Sequence, residues 1–163
     1  MDYSINVTGA KELEAALGGF ERKVSQKVVG KALRTGANII KDKQRSNAPA
    51  MVGGDMGGQL AKAIKVKAGK PRRYSHLFRV WIDPKTEGLV VTSKDGTRNY
   101  IPAAIEYGHA APDDAKGTKV VAAIPFMRDG YDSKKNLSKR AVEIALKLGI
   151  ERVASSGVKY NAR

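Results

Sequence analysis

The chain has no cysteine, which excludes disulfide staples and thiolate metal sites. Histidine occurs only at His76 and His109, far apart in sequence and without acidic neighbours at ligand spacing, so no metal centre is expected. No stretch approaches the ~18 apolar residues needed to cross a membrane. Met1-Asp2-Tyr3-Ser4 is not a basic segment leading into an apolar run, so the expectation is a soluble protein without a cleaved export signal or a membrane partner. Aromatics are 6% of residues and do not interleave with the basic ones, which removes the stacking platform of single-strand binders. Acid is scarce as well. The formal charge is +14, and between Arg22 and Arg79 the only carboxylates are Asp42 and Asp55. Such a field favours anionic partners, whether nucleic acid, membrane surface or an acidic protein, and leaves the fold open.

What the chain does have is one long segment of unbroken helical period, Phe20 to about Asn47. At about 100° per residue, Val24, Val28, Val29, Ala32, Leu33, Gly36, Ile39 and Ile40 share one side, which predicts a core face. Lys23, Lys27, Lys31, Arg34, Lys41 and Arg45 fall within an arc of about 80° on the opposite side and form a cationic stripe. Gly30 and Gly36 each cost roughly 1 kcal/mol against Ala inside a helix, so close approach of another backbone is expected there. Pro49 should end the helix by disfavouring helical geometry at Ala48.

Before this helix, Tyr3–Val7 alternates like a strand, and residues 10–17 read as a short helix. After it, APAMVGGDMGG reads as a mobile loop near 48–58; no Gly-Lys-Ser/Thr follows to make it a phosphate cradle. Ile64–Lys67, Tyr74–Ile82, Leu89–Thr92 and Val120–Ile124 are predicted strands, the first three joined by short turns that favour antiparallel pairing. A second mobile loop is expected near 109–119. The last helix is expected from a cap at Asp132 or Ser133 to about Ala154, with 155–163 as a flexible tail. The sum is one α+β domain, 1–154, with a mainly antiparallel sheet of about four strands and the long and C-terminal helices packed on it. On the last helix Leu137, Ala141, Ile144, Ala145 and Leu148 make one apolar stripe, assigned to the sheet. Val142, Leu146, Ile150 and Val153 make a second, assigned to a subunit contact because a small sheet covers only one.

Little in the sequence suggests catalysis or a cofactor. Asp113-Asp114 lacks the oxygen-ligand loop of a calcium or magnesium site. Glu106, between Ile105 and Tyr107, is the one carboxylate in an apolar setting; without a nucleophile or second acid, pairing with a cation such as Arg128 across an interface is the expectation.

Several short motifs occur in a telling order. Lys31-Ala32-Leu33-Arg34 lies on the long helix, then come Ala48-Pro49, Gly58 and Leu60 ahead of Ala63-Ile64-Lys65-Val66, Ile105-Glu106-Tyr107-Gly108, and Pro125-Phe126-Met127-Arg128. In this order and spacing, from about Ile5 to Val153, the chain resembles the neck or tail-completion proteins of long-tailed bacteriophages. The resemblance implies a virion structural protein, made in the host cytoplasm, that forms a homo-oligomeric ring at the head–tail junction. It would join tail terminator or tail tube proteins to head connector proteins around the DNA channel. The cationic stripe would then face either channel DNA or an acidic face of an adjoining ring. A small basic protein binding nucleic acid without sequence preference is the competing expectation.

Overall fold

The computed structural model describes residues 3–4, 22–70, 76–110 and 120–155, with side chains from Gln26 onward. The elements run β1 (Tyr3–Ser4), α1 (Arg22–Asn47), a π-helical turn (Ala48–Val52), α2 (Gly54–Ala63), β2 (Ile64–Ala68), β3 (Phe78–Ile82), β4 (Val90–Thr92), β5 (Arg98–Tyr100), α3 (Ile101–Tyr107), β6 (His109–Ala110), β7 (Val120–Val121) and α4 (Phe126–Ser155). The expected helix over residues 10–17, the expected loop beyond Ala110 and the expected tail beyond Ser155 lie outside the described residues.

Helix α1 follows its apolar period. Ala32, Leu33, Gly36 and Ile40 are buried as expected, and so are Ala37, Gln44 and Asn47. Pro49 ends the α-helical ladder without ending the coil. Ala48–Val52 continues as a wider turn with proline in its first positions, where a missing N–H costs nothing, and Gly53 N donates to Pro49 O at 3.1 Å. The glycine-rich stretch predicted as a loop is therefore helical. Its glycines admit close packing, since a Cβ on Gly57 would stand 2.7 Å from the Pro49 Cα.

The expected single sheet of about four strands is replaced by small antiparallel pairings: a three-stranded β1-β3-β2 array and the separate pairs β4-β5 and β6-β7. Among the described residues the strands run two to five residues, too short to build one wide sheet. The β2-β3 hairpin is bracketed by hydrogen bonds from Asp83 N to Ala63 O and from Gly69 N to Leu77 O.

The chain divides into two compact units. The first holds Ile40–Lys65 and Trp81–Lys134. Its core includes Leu60, Ile64, Leu89, Phe126 and Met127, all fully buried. The second holds Asp2–Ile39, Val66–Val80 and Lys135–Arg163. There α4 packs on α1. Gly36 lets the helices touch, because a Cβ on it would lie 2.5 Å from Val142 Cγ2, and Ser138 Oγ donates to Gly36 O at 2.9 Å. Gly149 meets Val28 in the same way. The close approach expected at Gly36 is present. At Gly30 no described atom comes within 4 Å of the point a Cβ would occupy.

Candidate functional site

In the first unit the first turn of α4 is held by side chains from two other helices. Residues 126–128 have N–H groups with no helical acceptor, as at any helix start. Glu106, on α3, lies 1% exposed and accepts from Met127 N and Arg128 N, each at 2.9 Å. A carboxylate at this end also opposes the positive pole of the helix dipole. From α1, Gln44 Nε2 donates to Met127 O at 2.9 Å and Asn47 Nδ2 to Phe126 O at 3.2 Å, both side chains buried. Ile124 N reaches Ile105 O at 2.7 Å, and the Arg128 guanidinium lies 5.8 Å from the Tyr107 ring centre. The two motifs Ile105–Gly108 and Pro125–Arg128 are thus one constellation. Gly108, at φ +77°, closes it where a Cβ would strike Val121 O.

This constellation corrects two expectations. Glu106 accepts from the backbone N–H of Arg128 inside the chain, so it is a helix cap. The last helix begins at Phe126, six residues before the expected caps, because its cap comes from 21 residues upstream. Gln44 and Asn47 escaped the sequence reading. The available signal was their place on the core side of the α1 period, where a polar residue needs a partner.

In the second unit the two stripes of α4 differ in exposure from the expectation. Val142 is 3% exposed against α1, which removes it as a subunit contact; the small residues Gly36 and Gly149 let α1 cover that side. Leu146, Ile150 and Val153 are half-buried. The stripe assigned to the core is the open one: Leu137 is 50%, Ile144 60% and Leu148 58% exposed. At helical spacing Arg140 and Lys147 run along one edge and Arg152 along the other, all exposed, with Glu151 as the acid on that face.

The cationic stripe of α1 also divides. In the second unit Lys27, Lys31 and Arg34 are exposed, Arg34 with its guanidinium 5.6 Å from the Phe78 ring centre. In the first unit Lys41 pairs with Asp42 at 3.0 Å, and Arg45 donates its Nε–H to Ile64 O at 2.9 Å. Arg45 therefore belongs to the fold. The side chain of Lys23 lies outside the described residues.

No curated protein and no solved structure matches the chain. A family model does, over residues 11–109, a span that takes in α1 and runs through the Glu106 cap to the start of β6. That span is more than half of the sequence, and the chain belongs to the family it describes, Bacteriophage HK97-gp10, putative tail-component.

Proposed function

We propose that this phage tail component is a virion structural protein that closes into a ring at the head–tail junction, between tail terminator or tail tube proteins and the head connector. The observation that carries the reading is the open apolar stripe Leu137, Ile144, Leu148 on α4. Covering the exposed half of each side chain would contribute about 1 kcal/mol apiece. Cations on both edges of the stripe disfavour a two-fold contact of the stripe with itself, where like charges would face each other. A head-to-tail contact with an unlike patch avoids this, and such contacts generate rings when the rotation closes. The role requires no chemistry, and Glu106 has both oxygens committed to backbone amides.

The test is sedimentation and negative-stain microscopy of the chain, alone and mixed with tail tube and head connector proteins. Wild type should form annular particles. Ile144→Asp combined with Leu148→Asp should weaken assembly by about tenfold or more while the helical circular dichroism is kept. Assembly unchanged by the pair would refute the contact.

A further inference from the structure

The second unit contains a hollow that no described side chain fills and that the ring reading does not use. It lies between the first turns of α1 and the Gly69–Leu77 end of the β2-β3 hairpin, has a volume of about 330 Å³, and is lined chiefly by Lys27, Gly30, Gly69, His76, Leu77 and Phe78. Its walls are mostly carbon. Gly30 is the unexplained member. A glycine inside a helix destabilises it, and elsewhere in this unit the cost is matched by contact, as Gly36 and Gly149 each receive a side chain of the facing helix. At Gly30 a Cβ would meet nothing described, so no described neighbour requires the missing side chain.

The charge around the hollow is of one sign. The stretches that build it, residues 22–39, 66–70 and 76–80, contain no Asp or Glu at all. Lys27 lines it and is exposed, Lys31 lies one helical turn beyond Lys27, Lys70 follows the lining residue Gly69 and is exposed, and the Arg34 guanidinium lies 5.6 Å from the ring centre of Phe78, another lining residue. A carbon-lined cavity with cations and no described carboxylate beside it complements an extended acidic segment with an apolar side chain between its carboxylates. A phosphate backbone satisfies the rim and leaves the apolar floor unused. A second copy of the same surface would bring further cations.

We propose that the Gly30 hollow is a docking site for an acidic segment of a different virion protein, which seats a leucine or aromatic side chain over Gly30 while its carboxylates meet Lys27 and Arg34. This does not depend on ring formation through α4, and the two surfaces are mutated separately.

Because the chain has no cysteine, Gly30→Cys supplies a single thiol whose alkylation rate reports access to the hollow. A rate within about tenfold of a free thiol is expected; full protection would show that the chain itself fills the site and would overturn the proposal. Random peptides displayed against the immobilised full chain at low salt should then enrich sequences with Asp or Glu flanking Leu, Phe or Trp. Binding of an enriched peptide, followed by fluorescence anisotropy, should fall about tenfold in Gly30→Leu, several-fold in Lys27→Glu, and not at all in Ile144→Asp. Attaching a bulky maleimide to the folded Gly30→Cys protein should block binding equally, which separates occlusion of the hollow from misfolding of the leucine variant. Enrichment without acidic residues, or binding indifferent to both blocks, would overturn the proposal. Duplex DNA binding that is lost on blocking would reassign the hollow to nucleic acid.

Discussion

Glu106 shows how much of this structure rests on single polar atoms. Its two oxygens each take one amide of α4 in a site closed to water. Replacing the carboxylate by an amide keeps the shape but turns one acceptor into a donor aimed at an N–H. Glu106→Gln should therefore cost about 2–3 kcal/mol, the loss of a charge-assisted bond and the orphaning of a buried amide together. Urea unfolding measures this, and a loss below about 0.5 kcal/mol would mean that water or another group serves the α4 amides instead. The sequence marked Glu106 as a carboxylate in apolar surroundings. It did not identify the partner, because backbone amides 21 residues away leave no signature in side-chain identity.

The two glycines of α1 make opposite predictions at the level of elements. Gly36→Ala drives a methyl into Val142 and Ser138 and should destabilise by about 1–3 kcal/mol. Gly30→Ala meets no described atom and should stabilise by up to about 1 kcal/mol through helix propensity alone. Thermal melting of the pair checks both signs at once. The period of α1 was legible because its apolar and basic residues occupy opposite sides. In α4 both sides carry Leu, Ile, Val or Ala, so periodicity located the helix and could not say which side is covered. Ser138 and Gly149 at the buried side are the small residues that decide it. The first half of the helix over Gly54–Ala63 was hidden by composition, since a run so rich in glycine reads as a loop until Gly57 is seen against Ala48 and Pro49, while Gln59–Ala63 reads as a helical turn. Strand pairs were legible, but short strands do not reveal whether they join into one sheet.

For the molecule as a whole, the net charge of +14 acts on partners through the cations that reach solvent. The six-residue stripe read from sequence narrows to Lys27, Lys31 and Arg34 once Arg45 and Lys41 are seen in internal contacts and Lys23 is set aside as undescribed. If these three met DNA phosphates, log K would fall against log salt with a slope of about −2.7, and neutralising all three would flatten it by that amount. A filter-binding titration on random duplex measures the slope. On a protein-facing stripe, the chain alone should show no such three-cation dependence. One consequence of the cap on α4 belongs to time. Its grips come from 83, 79 and 21 residues upstream, so during synthesis they must wait for residue 128 to clear the ribosome. The open stripe at Leu137, Ile144 and Leu148 emerges only later, so the start of α4 can be seated before the greasy part of the rod leaves the tunnel.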